Sequence, residues 1–203
     1  MSAFPKVPRL PYDEIRPQIR SGDILLCSGS AVFSRLIQHA TESIWSHCGF
    51  VLRIEAIERL MVLQSVESIG VNTVPMSNYV RNYNGTDLGY PGRVFVARHA
   101  AFATVDPAQL SHFSQGAVDL LGYPYDVPTI LAIAARITAA KLGMRPEPFV
   151  RNKAFICSEY LDACLRSIGI EVPYDPRGFI APCDFAKCTD VTILWEIAIE
   201  SPS

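Results

Sequence analysis

Two apolar runs rich in branched and aromatic residues, SHCGFVLRI over 46–54 and LMVLQSV over 60–66, flank the short polar segment EAIER. This pattern predicts an antiparallel hairpin. Upstream, GDILLCSG over 22–29 is an apolar run bounded by glycines and predicts a strand, and AVFSRLIQHAT over 31–41 follows with helical spacing at Val32, Leu36 and Ile37. Downstream, GVNTVPMSNYV predicts a short edge strand and a turn, and GRVFVARH another strand. DPAQLSHFSQGAVDLLG predicts a helix capped by Asp106 with Pro107 at its first position. A further helix is expected over 127–142, FICSEYLDACLRSIG predicts one ending at Gly169, and DVTILWEIAI a closing strand. Five or six strands joined mostly by hairpins, with four helices, favour an α+β architecture with a largely antiparallel sheet over a doubly wound parallel one. The chain reads as a single domain over 1–203, with the proline-rich start to Pro17 as an extended arm.

Composition narrows the function classes. With 203 residues, 49% hydrophobic and 19% charged, and a net charge of -2, the chain has no basic field for a phosphate backbone, so nucleic acid is not an expected partner. The N-terminal prolines and charges interrupt any signal-peptide core, which points to a cytoplasmic protein. The longest apolar stretch, VPTILAIAARITAAKLGM, is broken by Arg136 and Lys141 and predicts no membrane span. Six cysteines are too sparse for a disulfide scaffold, and the Cys183 and Cys188 spacing is loose for a metal site, so no metal is expected.

Two of the predicted elements carry candidate chemistry. Cys157 falls near a helix start, where unpaired N–H groups and the helix dipole favour a thiolate. Yet Cys157, Tyr160, Leu161, Cys164, Leu165 and Ile168 also form an apolar helical stripe, so position alone does not separate a nucleophile from a core thiol. His47 opens the first strand of the hairpin and is equally readable as a hydrogen-bonded structural residue. A cysteine nucleophile needs an imidazole to take its proton, and the imidazole needs a polar partner. Gln64 and Glu67 on the second strand are the candidates. The separation of 17 between His47 and Gln64 matches an even-numbered hairpin loop, whereas Glu67 requires an odd loop or a bulge. Gln64 is therefore preferred, with Glu67 the alternative.

The ordered segments SGDILLCSGS, FSRLIQHATESIWSHCGFVLRI, VLQSVESIGVNTVPMS, LGYPYD and FICSEYLDACLRSIGI resemble the permuted papain-like NlpC superfamily in its YiiX/YebB-like branch, over most of residues 20–170. The resemblance implies a circularly permuted papain-like fold, since histidine precedes cysteine in the chain. It implies a cysteine hydrolase, a peptidase or amidase, with Cys157 as nucleophile, His47 as general base and Gln64 as the residue that orients it. It departs from the family at Gln64, where glutamate is common. The implied chemistry is attack of the thiolate on an amide or ester through an acyl-enzyme, with no metal or organic cofactor and with the Cys157 N–H as an oxyanion donor. The substrate is a small molecule, a peptide or a lipid acyl group; a lipid-directed acyltransferase or thioesterase, or an idle ligand-binding module, are the alternatives. Trp45 and Tyr125 are candidate substrate contacts, though Trp45 equally closes a core and Tyr125 with Asp126 equally caps a helix. Asp23 reads as the residue closing the turn before the first strand, and His39, His99 and His112 as helix-face or loop residues.

Overall fold

The computed structural model describes residues 3–127, 156–173 and 179–199. Seven strands form one sheet in the order β1-β7-β6-β2-β3-β4-β5, with β1 Arg9–Pro11, β2 Ile24–Gly29, β3 His47–Ile54, β4 Arg59–Val66, β5 Gly70–Pro75, β6 Gly92–His99 and β7 Val191–Ala198. All neighbouring pairs are antiparallel except β1 with β7, which is parallel. The α+β architecture expected from the hairpin-rich pattern is present.

The sheet is buried on both faces, which explains why ILLCSG in the central strand β2 is nearly continuous apolar sequence rather than alternating. On one face Phe50 packs against Phe113, ring centroids 4.7 Å apart, and against Tyr160 at 5.7 Å. Phe113 comes from α4, Pro107–Asp119, and Tyr160 from α5, Cys157–Arg166. On the other face Val51, Val62 and Val96 meet Tyr12, Ile15, Ile19 and Tyr79. Each fully buried Ile or Phe contributes about 1.5–3 kcal/mol of transfer free energy, so both layers are needed to hold the sheet.

The α4 cap matches its sequence signature. Asp106 accepts from the Gln109 N–H at 2.8 Å, the Gln109 side chain returns a bond to the Asp106 N–H, and Pro107 stands at the first helical position. The helix over 32–41 is present as α2, Val32–Thr41. The helix expected over 127–142 falls, beyond its first residue, outside the described residues.

Two expectations need correction. The N-terminal arm is docked: β1 extends the sheet, α1, Tyr12–Ile15, follows it, and Ile15 and Ile19 are fully buried. Its prolines and charges hide a strand of only three residues, too short to show a period. This brings the strand count to seven among the described residues. The turn expected after β5 is a helix, α3, Met76–Arg81, started by Pro75 and held by the buried Met76 and Tyr79. A further short helix, α6, Pro182–Lys187, opens with Pro182 at its first position and is tied down by the Asp184 carboxylate accepting the Ala181 N–H.

Candidate active site

The hairpin register assembles the polar part of the site. Ile54 pairs with Arg59 and Gly49 with Gln64, so four loop residues separate the strands and the loop is even-numbered. Continuing that register places His47 and Gln64 on one face, diagonal to each other. Gly49 lies directly opposite Gln64; a Cβ on it would meet the Leu63 carbonyl oxygen at 2.7 Å and the Gln64 Cβ at 3.3 Å. The glycine therefore keeps the space through which Gln64 reaches His47, and His47 Nε2 stands 2.7 Å from Gln64 Oε1.

The polarity of that contact follows from the chain of bonds behind it. Asn72, paired with Gln64 on β5, donates through Nδ2 to the Gly70 carbonyl at 2.8 Å. Its Oδ1 then accepts from Gln64 Nε2 at 3.3 Å, which turns Gln64 Oε1 toward His47, where it also accepts the Tyr79 hydroxyl. An oxygen acceptor at Nε2 requires that nitrogen to carry the proton, leaving Nδ1 as the basic nitrogen of the neutral ring. Gln64 is 4% exposed and Tyr79 fully buried, so this orientation is set inside the protein rather than by solvent.

Cys157 is the first residue of α5, behind the extended Ile156, and so lies among the first-turn N–H groups that have no partner within the helix. His47 and Cys48 stand beside it, the latter acting on it through both its thiol and its backbone N–H. The Cys48 thiol bond is the largest influence on Cys157; burial opposes it, and the His47 bond, the His47 charge and the Cys48 N–H add to it. The result is a thiol held well below the usual cysteine range. Burial pushes His47 down, but the Cys157 bond and charge, the Gln64 bond and the charge of Glu67 outweigh it and raise the imidazole above its ordinary value. Burial raises Cys48 well above the usual range, so it remains a protonated donor. The arrangement favours a thiolate–imidazolium pair.

Two cavities flank this pair. A small apolar crevice of about 30 Å³ borders Cys157 and is walled by Leu36, Ile37, Ile156, Phe179 and Ile180. A larger one of about 420 Å³ borders His47 and is walled by Phe33, Glu67, Tyr83, Tyr90 and Tyr125 among others. Ile37 of α2 lines both, and α2 itself has no buried residue.

The structure thus brings Cys157, His47 and Gln64 together. Glu67 follows β4 in the three-residue turn 67–69, exposed at the rim of the larger cavity, and is not the ring's partner. Tyr125 lines that cavity, with its ring 6.2 Å edge-on from Phe33, and is placed by the β5 start, where the Val71 N–H bonds the Tyr123 carbonyl at 2.9 Å. Trp45 lines neither of these two cavities: it is 5% exposed and packs edge-on against Phe95 at 5.1 Å. Asp23 accepts from Arg98 and from the Arg20 N–H, closing the turn before β2. Cys48, Asn72 and Tyr79 were not singled out from the sequence. Asn72 was reachable by carrying the register one strand further; Cys48 was not, because strict alternation sends it to the face opposite His47.

Neither a protein-family model nor a curated protein matches the chain. Five solved chains do. One is YiiX of Escherichia coli O157:H7, described as a metalloprotein, with a TM-score of 0.62 at 18% identity over 91% of this chain and 99% of YiiX. The chain shares the fold of YiiX. Among the described residues no helix is long and apolar enough to cross a membrane.

One group of metal-ligating side chains stands out among the described residues: His99, Cys188 and Asp190, with ligand atoms within 4.8 Å of one another. It lies at the far end of β6, about 17 Å along the sheet from the Val94 and Cys27 pair that adjoins His47. His99 Nδ1 accepts the Ala101 N–H at 3.1 Å, so the neutral ring carries its proton on Nε2, which is buried without a hydrogen-bond partner. A metal-bound imidazole needs one nitrogen bare and the other donating. As oriented, the group does not fit a metal ion.

Proposed function

We propose that this chain is a cysteine hydrolase of the papain-like class in circularly permuted order, cleaving an amide or ester. The observation that carries this reading is the polarity of the Gly70–Asn72–Gln64–His47 chain, which leaves Nδ1 as the basic nitrogen of a ring that acts on the Cys157 thiol.

In the proposed reaction the Cys157 sulfur attacks the carbonyl carbon, and the carbonyl oxygen takes up charge beside the Cys157 N–H at the start of α5. The imidazolium of His47 gives its proton to the departing amine or alcohol as the carbon–leaving-group bond breaks. The acyl-enzyme remains. His47 then takes a proton from water, the hydroxide adds to the thioester, and the thiolate leaves again as the acid is released. Gln64 keeps the ring oriented throughout, and Tyr79 and Asn72 keep Gln64 oriented. Glutamine supplies a dipole where a carboxylate would supply a charge, so it orients the ring while stabilising the imidazolium less. The mostly apolar lining of the crevice at Cys157 favours a hydrocarbon portion next to the scissile carbonyl, and transfer of such an acyl group to another acceptor is the same chemistry with a different second step. No step of this reading uses a metal, and the metal by which YiiX is described has no part in it.

The test is selective chemistry at one thiol of six. Iodoacetamide at neutral pH is expected to modify Cys157 ahead of the other cysteines, His47→Ala to slow it, and ester or peptide probes to leave an acyl group trapped on Cys157. Uniform labelling with no acyl trapping, while ligand binding persists, would sink the hydrolase and leave a binding module on this fold.

A further inference from the structure

The cavity beside His47 has an unusual charge balance. Four aromatic rings, Phe33, Tyr83, Tyr90 and Tyr125, contribute to its wall, with Tyr83 and Tyr90 in edge-on contact at 4.9 Å and Phe33 and Tyr125 edge-on at 6.2 Å. No lysine or arginine lines it among the described residues. The ionisable groups besides its tyrosines are His47 and Glu67. Paired with the Cys157 thiolate, the imidazolium adds no net charge, so the field inside the cavity is that of the Glu67 carboxylate. Burial, with charges nearby, raises the Tyr83 phenol to about 12 and holds the other two tyrosines neutral as well, so the rings keep the negative faces that attract cations. Glu67 stands at the rim in a turn, exposed, with no ion pair among the described residues.

We infer that this cavity takes an organic ammonium group, and that the substrate of the Cys157 and His47 pair carries one on the part that lies beside His47. At about 420 Å³ the cavity falls in the range of small-molecule sites and holds an alkylammonium head with several further carbons. An ammonium against aromatic faces and one carboxylate gains from both attractions, whereas a carboxylate or phosphate in the same place meets Glu67 and has no cation to answer it. Glu67 is thus a specificity-determining residue, outside the reacting trio, and its closeness to His47 follows from the register: position 66 is opposite His47, and Glu67 is next in the turn.

The naming of the ligand as substrate rests on the hydrolase reading; the cation preference of the cavity does not, and the experiment separates them. Cys157→Ala protein, which can do no thiol chemistry, is titrated with choline and with its uncharged isostere 3,3-dimethylbutan-1-ol by calorimetry or ligand-observed NMR. Choline is expected to bind about tenfold tighter, the sum of a cation–π and a partly screened ionic attraction. Glu67→Gln is expected to remove most of that ratio, and Tyr83→Leu to weaken choline more than the alcohol. Equal affinities, no measurable choline binding, or a ratio unmoved by Glu67→Gln would overturn the inference. A retained choline preference in a protein whose Cys157 forms no acyl adduct would overturn the hydrolase and leave the cation site standing.

Discussion

His47 Nε2 lies 2.7 Å from Gln64 Oε1, and the second nitrogen of the ring is thereby the one left to exchange a proton with Cys157. The contact joins two residues 17 apart in sequence through a hairpin, and Gly49 between them keeps it open. It also sets the pH behaviour. The ion pair exists above the Cys157 pKa, which is held below the usual thiol range, and below the His47 pKa, which is held above the ordinary histidine value of about 6.5. For the proposed reaction, the pH window accordingly has an acid limb from Cys157 and an alkaline limb from His47.

Gln64→Glu places a full charge where the carboxamide dipole now stands. It is expected to favour the imidazolium and raise the His47 pKa further, by about one unit or more, moving the alkaline limb upward. Titration of the His47 ring by NMR in both proteins checks this; an unchanged or lowered value would show that Gln64 does not govern the ring.

Cys48→Ala removes the thiol donor that contributes most to lowering Cys157. The acid limb of iodoacetamide labelling at Cys157 is expected to move up by about one pH unit or more, since a hydrogen bond to a charged group is worth about 1.5–3 kcal/mol. Cys48→Ser, which restores a donor, should recover most of the shift. Superimposable profiles for wild type and Cys48→Ala would mean the neighbouring thiol is only packing.

Ile37→Ala removes the side chain that borders both cavities. Because Ile37 is half-buried on a helix with no buried residue, a loss of about 1 kcal/mol or less is expected, below the range for fully buried aliphatic truncations. Alkylation of Cys157 should become faster as the crevice joins the larger space. Slower or unchanged alkylation at equal thermal stability would place the route to the sulfur elsewhere.

Asp23 is 1% exposed and accepts from Arg98 Nε at 2.6 Å, Arg98 Nη2 at 2.8 Å and the Arg20 N–H at 2.8 Å. Asp23→Ala leaves the largely covered Arg98 guanidinium with only the Gln18 carbonyl, to which Nη2 donates at 3.0 Å, and is expected to cost about 3 kcal/mol, read from urea denaturation. A loss below about 1 kcal/mol would mean that solvent screens this pair as it does a surface one.

Much of the frame was legible because its signals are local. Six of the seven strands, α2, α4 and α5 follow from runs, spacing and caps within a dozen residues or so, and the even hairpin loop chose Gln64 over Glu67 by parity alone. The start at Arg9–Pro11 was hidden because three residues have no period, and Trp45 was placed at the site because adjacency in sequence to His47 says nothing about which side of the sheet a ring packs on.

The chain by itself, then, determined where strands and helices form, which residue faces His47 across the hairpin, and that a thiol stands at a helix start, since each depends on periodicity, pairing or capping among near neighbours. The tertiary structure decided that α5 docks so that this thiol meets the ring, that Cys48, on the sheet face α5 covers, lies beside it, that Asn72 and Tyr79 orient Gln64, and that Glu67 faces an aromatic cavity. Those meetings join elements far apart in sequence, and they are fixed by burial of the two faces of the sheet rather than by any local preference.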